Sequence, residues 1–462
     1  MGLFLFLQFT LLVCHLSLLF TYCKRVKNIM TSYIIELLIL DNGERYPILV
    51  AEDGMPHFHV TLWVTSQLRP KGKAESTIIN KLYHVKRLLA WLEIEKRNLF
   101  SEFQKGMFLN LNDIEQLRRV LSISIQHQKK ETPSHRNKII KFGKAYSIES
   151  NFSPSNGASH QYNCITSAME YLVFLARLAT QFNSTPESNR EIKRMEKLLR
   201  SSRPKAKNQN SNFNRSLSVP SDLVRNFMAI AHYNHEQNPF KNEGIRFRNH
   251  LIFLLLEGVG IRRGELLSLK LEYIITYGPE KTIVVTRSHD DKNDTRRRQP
   301  VTKTRERQLA ISPYIAEQID IYISKYRSKF QQSRKHPYLF VSHKPGRTQG
   351  YPLSGSSFDN TIMPTMKSVD TCFSVIYPHF FRHDWNERFS ESIDSNNMGC
   401  QNTEDYISPD KEAKMRKHQM GHASEESGKV YNQRHITRKA NEVSLLEQKE
   451  LQRKTETKNN DE

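Results

Sequence analysis

Between residues 76 and 92 the apolar positions Ile78, Leu82, Val85, Leu89 and Leu92 recur every three or four residues, which places them on one face of a helix. Ser76 or Thr77 can cap this helix, and Lys81, Lys86 and Arg87 lie off the stripe. A second helix opens at Asn112. Glu115 follows three residues on in a capping-box pattern, Ile114, Leu117 and Leu121 point inward, and Arg118 and Arg119 stay outside. A third helix, over residues 163–182, aligns Ile165, Ala168, Met169, Leu172 and Leu175 or Ala176. Residues 31–70 read as short strands and loops, strand-like at 33–40 and 57–64, with His57 and His59 alternating as surface residues across the second. Residues 127–160 are basic, polar and broken by Pro133 and Pro154, and read as a long exposed connection with some helix.

The pattern changes at Asn183. Residues 201–216 hold one large apolar side chain, Phe213, and read as a basic linker, either a plain tether or a strap along a phosphate backbone. After Val219-Pro220-Ser221 a second domain begins. Ser221 caps a helix through Ala231, and residues 245–257 form a helix apolar enough to be buried. Residues 282–287 and 308–312 are β-like and bracket a long charged excursion. A helix at 313–330, a short strand at 339–341 and further helices from about 356 to 451 follow. The tail places Ile436, Ala440, Val443 and Leu446 at helical spacing, for packing on its own domain or on a neighbouring subunit. The expected fold is mainly α with a small antiparallel β-sheet, an α+β protein.

The first residues stand apart. Leu3 to Tyr22 are almost wholly apolar, long enough to span a bilayer, and Lys24, Arg25 and Lys27 follow. A signal peptide carries its charge before the apolar run. The stretch is a membrane anchor with a cytoplasmic body, or an over-long reading frame whose true start is Met30; the second is the expectation. The expected domains are an apolar extension at 1–29, a helical basic domain at 30–182, a basic linker at 183–218, a second domain at 219–440 and a tail at 441–462.

Charge sharpens the picture. The chain of 462 residues carries 69 Lys and Arg against 48 Asp and Glu, a net charge of +21. That excess favours a polyanionic partner, most often nucleic acid. An anionic membrane surface would meet the same charge, and composition does not exclude it. The five cysteines are scattered without a CxxC pair, which suggests neither a disulfide framework nor a zinc site and fits a reducing compartment.

Four stretches of the second domain can carry chemistry. In Gly258-Val259-Gly260-Ile261-Arg262-Arg263-Gly264-Glu265, Arg262 sits at a turn between helices, with Glu265 placed to orient its guanidinium; a lone Arg-x-x-Glu is otherwise a helix-capping ion pair. Thr302-Lys303-Thr304 puts Lys303 on a hairpin tip, where it reaches a substrate or remains a solvated charge, and Lys292 competes for the role. In Pro378-His379-Phe380-Phe381-Arg382-His383, His379 and Arg382 share a helical face while the two phenylalanines bury the helix. The fourth is Met420-Gly421-His422 with Tyr431 nine residues on, a helix end, a glycine turn and a second helix bearing the tyrosine. A free tyrosine hydroxyl titrates near ~10 and is a weak nucleophile. It attacks at neutral pH when the target is polarised and fixed cations hold the developing charge.

Taken in that order, these boxes resemble the catalytic domain of tyrosine recombinases, the phage integrases, over about residues 220–440. The preceding helical domain looks like the family's core-binding domain, in shape rather than motif. The polar stretch Ser390 to Pro409 is longer than the family pattern leads one to expect. The resemblance implies the roles. Arg262 and Arg382 neutralise the non-bridging oxygens of a phosphodiester, His422 donates to the same oxygens, and His379 assists proton transfer from Tyr431. Tyr431 attacks phosphorus to form a 3′-phosphotyrosine, and Lys303 protonates the departing 5′ oxygen. No cofactor, metal or small-molecule substrate is expected. The expected partner is double-stranded DNA, bound by a homotetramer in a synaptic complex; no membrane partner and a cytoplasmic location are expected. A type IB topoisomerase-like nicking and resealing enzyme, or a DNA-binding relative without catalysis, remains the alternative.

Overall fold

A computed structural model of the chain describes residues 33–122, 157–205, 221–287, 290–300, 302, 304–399, 404–422, 424 and 439–450. The described residues fall into two compact units, one drawn from Met1–Leu38 and Arg45–Ser211, the other from Ile39–Glu44 and Asn212–Glu462. The apolar run at the start of the chain and most of the 127–160 connection lie outside the described residues. Among the described residues no helix is long and apolar enough to cross a membrane.

The first unit opens on a two-stranded ribbon, β1 (Tyr33–Ile39) and β2 (Arg45–Ala51), and continues into helices. Residues 57–64, expected as a strand, are instead a cap and a helix, α1 (Phe58–Trp63), which runs on as a π turn through Leu68. His57 accepts from the amide of Val60, and Val60, Trp63 and Val64 are buried at helical spacing, so the helical period wins over the apparent alternation. Next come α2 (Glu75–Ile94), α3 (Leu99–Gln104), α4 (Leu111–Ser122), α5 (Ala158–Ala179) and α6 (Pro186–Ser201). The expected apolar stripes of α2, α4 and α5 are all buried in one core.

Three local readings are corrected. Ala74, without a side-chain cap, precedes α2, so neither Ser76 nor Thr77 caps it. The reciprocal cap of α4 lies two residues before the expected one: Asp113 donates its amide to Asn110 Oδ1 and Asn110 its amide to Asp113 Oδ2, both at 3.0 Å. Glu115 pairs with Arg118 and Arg119 instead. Within the expected linker, α6 is an amphipathic helix that buries Ile192, Met195 and Leu199, with a Thr185–Ser188 capping box and Pro186 at its first position.

The second unit is built on α8 (Glu243–Val259), preceded by α7 (Ser221–Ala231) and followed by the short α9 (Arg263–Leu267). Asn242 caps α8, and its buried face joins a core with Phe227, Phe358, Phe373 and Phe381. A three-stranded antiparallel sheet, β3 (Ile274–Ile275), β4 (Thr282–Val285) and β5 (Arg307–Ala310), has β4 in the middle, with Ile283 opposite Leu309. The charged excursion between β4 and β5 is anchored by Arg296. This buried side chain pairs with Asp294 at 2.7 Å, stacks on Tyr338 and donates to the carbonyls of Leu267 and Leu353. The helix α10 (Pro313–Ile321) and short helical turns lead to residues 338–352, where isolated bridges replace the expected strand. Two helices complete the site, α11 (Pro378–Gly399) and α12 (Pro409–Met420). The polar stretch from Ser390 is in part a continuation of α11, because Ser390 and Ile393 are buried. Buried Arg416 of α12 donates to the carbonyl and side chain of Asn386 and to Ser390 Oγ, and so pins α12 to α11. Residues 439–450 are helical, with Val443 and Leu446 exposed.

Candidate active site

Two helix ends meet at the site. The helix α8 stops at Val259 because Gly260 is left-handed, at φ 68°, and a Cβ there would lie 2.7 Å from the ring of Trp385. The helix α12 stops in the same way at Gly421, φ 60°, whose amide donates to His418 O while that of His422 donates to Lys417 O. A Cβ on Gly421 would lie 2.8 Å from Arg307 Nη1 and 2.9 Å from Thr304 Cβ. Each glycine turn delivers the next functional side chain, Arg262 from the first and His422 from the second.

Arg262 precedes α9 in extended backbone. Its amide donates to Glu265 Oε2 at 3.0 Å, and its Nη1 to Glu265 Oε1 and Met420 O, both at 3.3 Å. The side chain retains 27% of its exposure, and its Nε and Nη2 make no hydrogen bond among the described residues. Arg382 is fully buried. Its Nη1 donates to Gly260 O at 2.9 Å, and its Nη2 to Met420 O at 2.6 Å and His422 Nε2 at 3.4 Å. A guanidinium carries donors only, so His422 Nε2 is the acceptor, and a neutral ring carries its proton on Nδ1.

The second layer is a buried carboxylate network. Glu265, 1% exposed, accepts from Arg307 Nη2 at 2.8 Å and from Thr304 Oγ1 at 2.6 Å. Arg307 also donates to Gln419 O at 2.7 Å, and the amide of Arg305 donates to Gly421 O at 3.2 Å. The start of β5 and the segment before it are thus fastened to the turn that carries His422. Burial pushes the Glu265 pKa up, but Arg307, Arg382 and the Thr304 hydroxyl outweigh it and bring it down to about 2.

Burial first, and then the charges of Arg382, Arg262 and Arg307, push the His422 pKa down to about 4, with Glu265 opposing. His379 lies at the solvent edge of α11, its ring 4.8 Å from that of His383 and nearly perpendicular to it. Desolvation, then His383, Arg382, Arg262 and His422, hold it below the ordinary imidazole range. Both rings are neutral at pH 7, so each can accept or donate a proton through a lone pair or an N–H.

Residues 220–396 match the phage integrase family model. That segment is a phage integrase domain. Arg262, Lys303, His379 and Arg382 lie inside the match, and His422 and Tyr431 lie beyond its end. No curated protein matches the chain. Three solved structures are remote likenesses of this chain. One is a crystal structure of XerA recombinase, 15% identical, TM-score 0.30, covering 82% of this chain and 94% of that one. Another is XerH site-specific recombinase bound to palindromic difH substrate in a post-cleavage complex, 12% identical, TM-score 0.37, covering 63% and 79%. The third is the Tn1549 transposon integrase in complex with circular intermediate DNA, 13% identical, TM-score 0.41, covering 81% and 94%.

The second unit brings Arg262 and Arg382 together on the Met420 carbonyl, with Arg382 also bonded to His422 and His379 within their electrostatic reach. Lys303 and Tyr431 lie outside the described residues. Thr302 and Thr304, expected on an exposed tip, are buried at 0% and 6% exposure, because Thr304 belongs to the Glu265 network. Lys292 is exposed. Sequence reading missed Arg307. The signal was its register: Arg307 and Leu309 alternate inward along β5, and an arginine on the buried face of a strand requires a buried partner.

Proposed function

We propose that this chain is a site-specific DNA recombinase that cuts and rejoins strands through a 3′-phosphotyrosine. The observation that carries the reading is the convergence of Arg262 and Arg382, both inside the integrase match, on one carbonyl beside His422. Arg262, with its unengaged Nε and Nη2, takes the non-bridging oxygens of the scissile phosphate; Arg382 supplies charge from beneath and holds the two turns together. Tyr431 Oη attacks phosphorus and the P–O5′ bond breaks. Neutral His379 helps remove the phenolic proton, His422 donates to the developing equatorial charge, and Lys303 delivers a proton to the 5′ oxygen. The ester energy is kept in the adduct, so another strand's 5′ hydroxyl can reverse the step. The helical unit, with α6 as part of it, and the basic linker hold duplex DNA along a backbone path, which the net charge of +21 favours. Four protomers on two duplexes form the working complex.

The DNA relatives named above are consistent with this partner: XerH is captured on difH and the Tn1549 integrase on circular intermediate DNA. The test is recombination between two duplexes carrying the junction sequences that flank the coding region. Joined products from both sites are expected. Relaxation of supercoils without joined products would replace the reading with nicking and resealing, and binding without either would remove the enzyme.

A further inference from the structure

The helical unit holds a second cluster, unrelated to the strand chemistry. His160 and Cys164 stand one turn apart on α5, with His160 Nε2 and Cys164 Sγ 3.4 Å from each other. His84 reaches them from α2, its ring centroid 5.5 Å from that of His160. One nitrogen from each histidine and the sulfur all lie within 4.8 Å of one another. Ligand atoms on one tetrahedral zinc stand roughly 3.3–3.8 Å apart, given Zn–N and Zn–S bond lengths of about 2.1 and 2.3 Å. His160 is exposed, so rotation of its side chain can close the remaining gap.

Hydrogen bonding has already prepared the His84 ring. Its Nδ1 is 2.9 Å from Ser167 Oγ, and that hydroxyl donates its only proton to Asn163 O at 2.9 Å. The Ser167 oxygen must therefore accept, which puts the His84 proton on Nδ1 and leaves a lone pair on Nε2. This is the second-sphere arrangement that orients a metal-bound imidazole. Burial pushes the Cys164 thiol up, and Arg87, buried and tied to Val120 O at 2.7 Å, partly offsets that rise with Nη1 3.8 Å from Cys164 Sγ.

We propose that His84, His160 and Cys164 bind a borderline divalent cation of the zinc class, with water as the fourth ligand on the exposed side. On binding, the Cys164 S–H bond breaks, the proton leaves to solvent and the thiolate pair goes to the metal; both imidazoles bind as neutral donors. The ion clamps the first two turns of α5 to α2 and raises the stability of the helical unit. Sequence reading missed the site because its ligands come from two distant helices without a short-spaced motif.

The test uses the full chain, stripped with chelator, dialysed and titrated with Co²⁺ as the spectroscopic probe. Uptake of one equivalent is expected, with a sulfur-to-cobalt charge-transfer band, tetrahedral ligand-field absorption and a zinc-dependent rise in melting temperature. His160→Gln, at an exposed position, is expected to abolish the band while leaving the circular dichroism of the apo protein unchanged, and Cys164→Ser to abolish it as well. Ser167→Ala, which frees the His84 tautomer, is expected to weaken affinity about 10–100-fold. Cys372→Ser, at an exposed cysteine, is expected to leave the band intact. Absence of a thiolate band, or a band that survives His160→Gln, overturns the proposal even if Cys164→Ser fails to fold.

Discussion

Arg262 and Arg382 reach the same oxygen, the carbonyl of Met420, at 3.3 and 2.6 Å, from a turn before one helix and from the body of another. The contact joins the end of α8, the start of α11 and the end of α12 at one atom. The two arginines are nevertheless unequal. Arg262 keeps donors and exposure for a ligand, whereas Nη1 of Arg382 is engaged with Gly260 O and its Nη2 with Met420 O and His422.

That inequality separates two lysine substitutions. Arg262→Lys removes the planar fork at the exposed position, so the protein is expected to fold normally while strand cleavage falls about 10²–10³-fold. Arg382→Lys leaves buried carbonyls without donors and is expected to lose about 3 kcal/mol of stability as well as activity. Urea unfolding beside single-turnover cleavage distinguishes the two; equal stabilities would contradict the structural role of Arg382.

Gly421→Ala forces a side chain into left-handed backbone and against Arg307 and Thr304. A loss of roughly 1–3 kcal/mol is expected from strain and overpacking, with cleavage falling further than stability because His422 is displaced. Normal cleavage by the alanine variant would show that the turn does not position the site.

Glu265→Gln keeps the shape and removes the charge that pairs with Arg307 in a buried setting. Breaking such a pair costs about 3–5 kcal/mol, and equilibrium denaturation at pH 7 measures it. The sign with pH follows from the depressed carboxyl. Its contribution is complete above the unfolded carboxylate range and is lost as pH falls from there toward about 2. The glutamine variant is expected to lack that component of acid unfolding.

His422 titrates in the same sense. Its folded pKa of about 4 lies below the unfolded value of 6.5, so the unfolded chain takes up the proton first. The neutral ring's contribution to stability is complete above pH 6.5 and is lost as pH falls toward 4. Cleavage is therefore expected to show no limb from His422 near pH 6.5. NMR titration of the imidazole signals checks the value; protonation of His422 near 6.5 would contradict the packing described.

The legible parts of the sequence were those written in short spacings. Arg262 and Glu265 are three residues apart, and Gly421 directly follows a helical run that its left-handed backbone ends; each needed only local geometry. Helices α2, α4 and α5 showed themselves through stripes that are buried as expected. The illegible parts depend on distant partners. Nothing near Arg307 in sequence announces Glu265 or Gln419, and Arg416 looks like one more surface cation until Asn386 and Ser390 face it. In α6 the high charge concealed Ile192, Met195 and Leu199, although Thr185-Pro186 carried a capping signal. In α1 a short run satisfied two periods at once, and the contacts of Val60 and Trp63 decided between them.

The most direct measurement is covalent capture on a nicked duplex carrying the element's junction, in which the strand beyond the cut diffuses away and rejoining is blocked. The digested complex is then sequenced by mass spectrometry. A phosphotyrosine at Tyr431 joined to a DNA 3′ end, absent in Tyr431→Phe and strongly reduced in Arg262→Lys, is the expected result. An adduct that persists in Tyr431→Phe, or maps to another side chain, contradicts the assignment of the nucleophile and the proposed chemistry with it.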